Sequence, residues 1–256
     1  MIGSLLRGYR KETRLSEAPT AAVLIIGDEI LSGRTKDRNI GFIADTLTDI
    51  GIDLMEVRIV SDDEAAIVEA VRALSGRYDF VLTSGGIGPT HDDITADSVA
   101  KAFGLPIGVD QRAVDLLMPF WKGRGIEPNE SRLRMARIPE GAELIPNAVS
   151  AAPGFRVRNV FVMAGVPAIM QAMMDEVVKR LPAARPVLSE TIEANRGEGD
   201  VAVPAAAVQA AHPGVRIGSY PYHDGQKFTT RLVLRSRDPG ALAAAAAAMR
   251  GALRSL

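Results

Sequence analysis

Apolar and polar positions change rhythm several times along the chain. "AAVLIIG" (21–27) is a continuous apolar run closed by glycine, which predicts a strand buried on both faces. Behind Asn39, residues Ile40, Ile43, Ala44, Leu47 and Ile50 mark one stripe of a helix that Gly51 closes. "DLMEVRIV" reads as a second strand. Asp62 and Asp63 then open a helix carrying Ile67, Val71 and Leu74 and ending at Gly76. "YDFVLTS" is a third strand, followed by a glycine-rich loop and a helical stripe of Ala96, Val99, Ala100 and Phe103, stopped by Gly104 and Pro106. Residues 110–140 read as helical but irregular, with breaks at Pro119, Pro128 and Pro139. "NVFVMAG" is a further strand, and Pro167 suits the first turn of a helix whose Met170, Met173 and Met174 fill the core. Strands alternating with helices predict an α/β domain of parallel strands and crossover helices over 20–182.

The pattern then changes. "LPAARP" (181–186) reads as a linker. Val187–Glu193 predicts a strand and Asp200–Ala211 a helix. "VRIGSY" and "KFTTRLVLRS" alternate, the latter with Phe228, Thr230, Leu232 and Leu234 on one face, and Asp224–Gly225 between them is a hairpin-turn signal. A helix from Pro239 to about Leu253 follows, its alanines serving helix propensity. Residues 187–256 therefore predict a small α+β domain of βαββα order. Residues 1–19 are read as an extension, in which a short helix is open.

Of the 256 residues, 47% are hydrophobic and 24% charged, the balance of a soluble globular chain. Thirty basic against thirty-one acidic residues give a net charge of −1, so no global basic excess points to nucleic acid or a membrane surface. The absence of cysteine excludes disulfides, zinc–thiolate sites and cysteine nucleophiles. No apolar run approaches a membrane span, and the N-terminus lacks the apolar core of a secretory signal. A cytoplasmic location is expected.

The candidate chemistry lies in "TSGGIGPTHDDIT" (83–95). The loop leaves a strand and opens a helix, where open α/β sheets bind ligands. Gly85, Gly86 and Gly88 let the backbone approach a phosphate, and Ser84 and Thr90 offer hydroxyl donors. Asp92 and Asp93 would repel that phosphate unless a cation intervenes, and magnesium held by carboxylates, phosphate oxygens and water is the usual solution. The plainer reading is a turn in which Asp93 or Thr95 caps the helix. Asp28 and Glu29 follow the first strand and Asp62 the second, so three strands end in acidic loops on one sheet edge, each of them also readable as a helix cap. His91 lies in the same loop but has no ligand-spaced partner. The dinucleotide fingerprint, the phosphate-loop lysine and the G-x-S-x-G elbow are all missing.

Five motifs occur in order: "IIGDEILSG", "GGIGPTHDDIT", "IPEGAELIPN", "AAPGF" and "VFVMAGVP". Together they resemble the molybdopterin-binding domain shared by MogA, MoaB and MoeA, and most of all the N-terminal region of the CinA competence/damage-inducible family. The "GSYP" segment is similar to the second CinA-type domain. The resemblance implies a three-layer α/β/α fold with a mostly parallel sheet. It implies that Asp93 and Asp62 hold catalytic positions, that Gly27, Asp28, Glu29 and Asn39 belong to the first ligand-binding motif, and that Pro153–Gly154 form a further binding turn. MogA-like enzymes adenylylate molybdopterin with Mg-ATP. CinA-like domains resemble pyrophosphatases that split ADP-ribose, and a related domain of FAD synthase cleaves FAD. MogA-type loops carry arginine where this chain has Asp92, a departure that weakens the pterin chemistry. Long CinA proteins add a deamidating domain, which is expected to be absent from a chain ending at Leu256.

The expectation is a divalent-metal-dependent nucleotide pyrophosphatase acting on an adenosine-containing dinucleotide. Asp92 and Asp93 would hold Mg2+, Mn2+ or Co2+ or orient the attacking water as catalytic residues, with Asp62 and Glu29 assisting. The alternatives are a molybdopterin-adenylylating protein and a module that binds pterin or nucleotide without turnover. The expected partners are a small-molecule nucleotide or pterin and further copies of the chain, as a homo-oligomeric dimer or trimer.

Overall fold

A computed structural model describes residues 18–223, 225 and 227–256. Most of the extension read over 1–19, and the Asp224 half of the hairpin turn, lie outside the described residues.

In chain order, β1 (Thr20–Ile26) leads into a one-turn helix α1 (Asp28–Leu31), then α2 (Asn39–Asp49), β2 (Asp53–Val60), α3 (Glu64–Arg77), β3 (Phe80–Ser84) and α4 (Thr95–Phe103). The irregular middle comprises β4 (Ile107–Val109), α5 (Gln111–Lys122), α6 (Glu130–Leu133), a 3-10 turn at Arg134–Ala136, β5 (Arg137–Pro139) and β6 (Glu143–Ile145). β7 (Gly154–Val157), β8 (Val160–Met163) and α7 (Pro167–Val178) complete the first unit. The second consists of β9 (Leu188–Glu193), α8 (Glu198–Ala211), β10 (Arg216–His223), β11 (Phe228–Ser236) and α9 (Pro239–Arg254).

The main sheet has the order β2-β1-β3-β8-β7-β6. Its first four strands are parallel, β7 runs antiparallel to β8, and β6, antiparallel to β7, runs with the first four again. Strand alternation in β1 sorts its side chains between two cores. Ala22, Leu24 and Ile26 pack with Ile67, Val71 and Leu74 of α3, Val99 of α4 and Leu117 and Trp121 of α5. Ala21, Val23 and Ile25 pack on the other face with Ile43 and Leu47 of α2 and with Met170, Met173 and Met174 of α7. This is the expected three-layer α/β/α arrangement. Because both faces are covered, β1 is apolar at successive positions and shows no polar alternation.

The second unit is an antiparallel sheet of order β10-β11-β9, covered by α8 and α9 through Ile192, Leu232, Leu234, Val201, Val208, Leu242 and Met249. Thr230, Leu232 and Leu234 are buried as the alternation predicts. Phe228, expected on the same face, is 73% exposed. It pairs with His223 at the end of the hairpin and meets the His223 ring edge-on, 5.0 Å between centroids. The two units are joined at one corner. Arg237 donates to the Gly51 carbonyl at 2.9 Å and to Asp53 Oδ1 at 2.7 Å, and the Ala184 N–H donates to the Ile50 carbonyl at 3.0 Å. No helix among the described residues is long and apolar enough to cross a membrane.

Candidate functional site

Parallel pairing brings the carboxyl ends of β1, β2, β3 and β8 to one edge of the sheet, and the turns that follow them meet there. Gly27 N–H donates to the Val60 carbonyl at 3.1 Å, and Asp28 N–H donates to Asp62 Oδ2 at 2.9 Å. Burial raises the Asp62 carboxyl above the usual carboxylate range. The Asp28 N–H opposes that rise, while the charges of Glu29, Asp28 and Asp92 add to it. Acidic residues from the loops after β1 and β3 therefore act on Asp62.

The glycine turn sits between β1 and α4. Gly85 has φ +114°, and a Cβ there would lie 2.0 Å from the Ile26 carbonyl oxygen. Gly86 has φ +67°, and its Cβ would lie 2.2 Å from Thr95 Oγ1. Only glycine lets β3 turn this sharply past β1. Thr95 N–H donates to the Gly86 carbonyl at 3.0 Å, fixing the turn to the start of α4. Asn39 holds it from the other side: its buried side-chain amide donates to Ser84 Oγ and to the Gly165 carbonyl, each at 2.8 Å. Asn39 Oδ1 is buried and has no partner. The Asn39 contacts reach across to the ends of both β3 and β8.

Several expected roles change. Asp93 does not cap α4. Its Oδ2 accepts the Thr90 N–H at 2.8 Å and the Thr90 hydroxyl, closing the loop on itself. The position before α4 is Ile94, without a side-chain cap, and the Thr95 hydroxyl has no partner. The Ser84 and Thr90 hydroxyls are not open donors: Ser84 donates to the Ala164 carbonyl at 3.0 Å, and Thr90 to Asp93. Gly154 is not an open turn either. It is buried in β7, paired with Ile145, and a Cβ on it would lie 2.3 Å from the Val162 carbonyl oxygen. Asp63, not Asp62, caps α3, accepting the Ala66 N–H at 2.9 Å. Asp62 is thereby left for the Asp28 turn.

Asp92 and Asp93, although adjacent, face different surroundings. The Asp92 side chain is 61% exposed and lies 3.8 Å from His91 Nδ1. Its carboxyl is held below the usual range, chiefly by the Thr90 hydroxyl and then by its own N–H. His91 itself is almost wholly exposed. Among the described residues no three carboxylates or imidazoles converge as a closed metal cage. Magnesium bound through one or two carboxylates plus phosphate oxygens and water needs no such cage, and the hard oxygen donors here suit it.

A small crevice of about 10 Å³ lies beside the loop, lined by Gly88, Asp93, Asp97, Arg134, Arg137 and Pro153. Arg134 donates from Nη2 to the Asp93 carbonyl at 3.2 Å, and Arg137 is ion-paired with Asp97. Neither arginine stands out in "RLRMARIPEG", where three arginines share one short stretch and nothing marks which of them faces the loop.

The fold and this edge are those of a molybdopterin-binding domain. The family model described as "Probable molybdopterin binding domain" matches residues 22–185, and the chain belongs to that family. "FAD synthase, middle domain" matches residues 186–256. A protein of Archaeoglobus fulgidus is 34% identical over 199 residues, covering 78% of this chain and 84% of the relative. A CinA-like protein of Anaeromyxobacter is 36% identical across 77% of this chain and 50% of its own length. A probable FAD synthase of Caenorhabditis elegans is 30% identical across 96% of this chain and 52% of its own. The chain thus spans about half the length of these last two relatives. Among solved structures, the protein CinA of Thermoplasma acidophilum, whose function is described as unknown, superposes with a TM-score of 0.59. It is 36% identical and covers 64% of this chain and 98% of its own.

Proposed function

We propose that the chain is a divalent-metal-dependent pyrophosphatase that splits an adenosine-containing dinucleotide of the ADP-ribose or FAD kind. The observation that carries this reading is that Asp28, Glu29, Asp62 and Asp92 lie in the three loops at the sheet edge that also carries the Gly85–Gly86 turn, with Asp62 tied to the Asp28 N–H at 2.9 Å. A backbone turn suited to phosphate and a group of carboxylates suited to a cation share one sheet edge. The FAD synthase middle-domain match and the FAD synthase relative support an adenine dinucleotide as the ligand.

In this reading the turn at Gly85, Gly86 and Gly88 receives the phosphates. Asn39 and Ser84 hold the turn in place. Asp28 and Glu29, both exposed, accept from ribose hydroxyls. Asp92 and the Asp93 oxygen not bound by Thr90 hold magnesium, manganese or cobalt. When bound, the cation offsets phosphate charge and draws electron density from phosphorus. Asp62, raised by burial and by its acidic neighbours, takes a proton from the attacking water. The water oxygen bonds to the adenylyl phosphorus, the bridging P–O bond breaks, and the bridging oxygen leaves on the second phosphate. The products are AMP and a phosphate monoester.

The family match over 22–185 favours a second reading, pterin binding with or without adenylylation. A mass-spectrometric screen separates the two. ADP-ribose, FAD, NAD, coenzyme A and ATP are incubated with each metal, and ATP is also supplied together with molybdopterin. AMP release from a dinucleotide supports the first reading. AMP appearing on the pterin, or pterin binding with every dinucleotide intact, supports the second.

A further inference from the structure

We propose that β2 is a two-fold docking edge for a second copy of the chain, and that this pairing sets the partner's second unit beside the candidate site. The interface stands without the proposed function; its effect on turnover rests on that reading.

β2 ends the main sheet, with β1 on one side and no strand on the other among the described residues. An uncovered edge offers a row of backbone donors and acceptors, which proteins usually guard with lysine, proline or a bulge. β2 has neither lysine nor proline. Its bulge, where Met55 is the extra residue against Ala21 and Ala22, lies near the start of the strand, and Glu56–Val60 keep a regular register with Ala22–Ile26. Met55, Val57 and Ile59 are 54%, 40% and 37% exposed, three apolar side chains at alternate positions. Between them stand Glu56 and Arg58, half-buried and ion-paired with each other.

The order of these residues decides the occupant. A two-fold axis perpendicular to the sheet pairs a strand antiparallel with its own copy and keeps each face of the sheet on its own side. With Val57 on the axis, Val57 meets the partner's Val57, Met55 meets the partner's Ile59, and Glu56 meets the partner's Arg58. Apolar answers apolar and acid answers base. Moving the axis by one residue sets Glu56 against the partner's Glu56, or Arg58 against the partner's Arg58, like charges directly opposite. The strand is complementary to itself in this register, as a surface shared by two identical copies must be.

The pairing also changes what lies near the site. Within one chain, Arg237 latches the second unit to Gly51 and Asp53, at the amino end of β2, while Asp62 lies just past its carboxyl end. β2 is eight residues long, so the two ends lie roughly 25 Å apart. Antiparallel pairing reverses the strand and brings the partner's Asp53 opposite Ser61, next to Asp62. The partner's second unit, the part matched by the FAD synthase middle domain, is thereby set beside acidic loops whose own second unit is latched at the far end of the strand.

The test uses the full chain, which has no native cysteine. Sedimentation gives the mass of wild type and of Val57→Lys, which sets two like charges against each other on the axis. Mild oxidation of Val57→Cys and of Ile59→Cys reads the register. Directly opposite residues of an antiparallel pair lie about 4.5–5.5 Å apart between Cα atoms, within disulfide reach. The expected results are a wild-type dimer, a folded Val57→Lys monomer, and a disulfide-linked dimer for Val57→Cys but not for Ile59→Cys, since Ile59 stands opposite the partner's Met55. A wild-type monomer, an assembly whose mass Val57→Lys leaves unchanged, or Ile59→Cys linking as readily as Val57→Cys overturns the proposal. If Val57→Lys does not fold, the two cysteine variants decide alone. AMP release from ADP-ribose is read on the same samples. The linked Val57→Cys dimer should match wild type, and the Val57→Lys monomer should lose about tenfold or more. A monomer as active as wild type overturns the part given to the partner's second unit. Dinucleotide left intact by every form counts against the proposed function alone, and mass and crosslinking then decide the interface.

Discussion

Asp62 Oδ2 accepts the backbone N–H of Asp28 at 2.9 Å, which fastens the turn after β2 to the turn after β1. The same carboxyl is raised above its ordinary value by burial and by three acidic neighbours. A carboxyl whose folded value lies above its unfolded one favours the fold while it is protonated. That contribution is present below the unfolded value and is lost as pH rises through the folded one. At neutral pH the charge on Asp62 is therefore a burden on stability. Asp62→Asn keeps an acceptor for the Asp28 N–H and removes the charge. Its melting temperature at pH 7 should equal or exceed that of wild type, and the difference should shrink as pH falls through the carboxylate range. Turnover should fall by roughly 10²-fold or more if Asp62 is the proton acceptor. Melting curves against pH, paired with rates, check both halves.

Asn39 is the second hold on the glycine turn. Asn39→Ala leaves the buried Ser84 hydroxyl and the Gly165 carbonyl each without one partner, at a cost of about 1–3 kcal/mol. Urea unfolding should register that loss. Steady-state kinetics should show KM for the dinucleotide rising more than kcat falls, because the turn that receives the phosphates is loosened while the carboxylates stay in place.

Gly85→Ala tests the turn itself. A Cβ 2.0 Å from the Ile26 carbonyl, at φ +114°, forces β3 away from β1 or strains the backbone by roughly 1–3 kcal/mol. Lower stability together with loss of nucleotide binding is expected. Gly76→Ala serves as the control, since that glycine has open space around it, lies in a helix and should be tolerated.

At the corner between the two units, Arg237 holds the Gly51 carbonyl and Asp53. Arg237→Ala should speed hydrogen exchange at the Ala184 amide, which donates to the Ile50 carbonyl beside that latch. Amides of β1 should exchange as before. Unchanged protection at Ala184 would show that the linker is held without Arg237.

Much of this architecture can be read from the chain because β1 and β8, and β3 up to Leu82, are buried on both faces and so are apolar at successive positions. The three acidic loops were legible too, since parallel strands put their C-terminal ends on one edge. β6 and β7 were not. They are three and four residues long, too short for alternation to register, and Gly154 has the look of a turn residue although it is a strand residue pressed against Val162. The plainer alternative of an Asp93 cap fails because Thr90, three residues earlier, captures the carboxylate locally before α4 begins. Arg134 was invisible for a different reason: it reaches the site across 41 positions of sequence, and no periodicity encodes that contact.

The most direct measurement is AMP release from ADP-ribose and FAD by the full chain, with magnesium and with a chelator, for wild type and Asp93→Ala, alongside their melting temperatures. The account predicts AMP from wild type only with metal, and loss of that product in Asp93→Ala with melting lowered by no more than the Thr90 contacts are worth, about 1–2 kcal/mol. AMP release that persists in Asp93→Ala, or a wild type that leaves both dinucleotides intact with every metal, would contradict it.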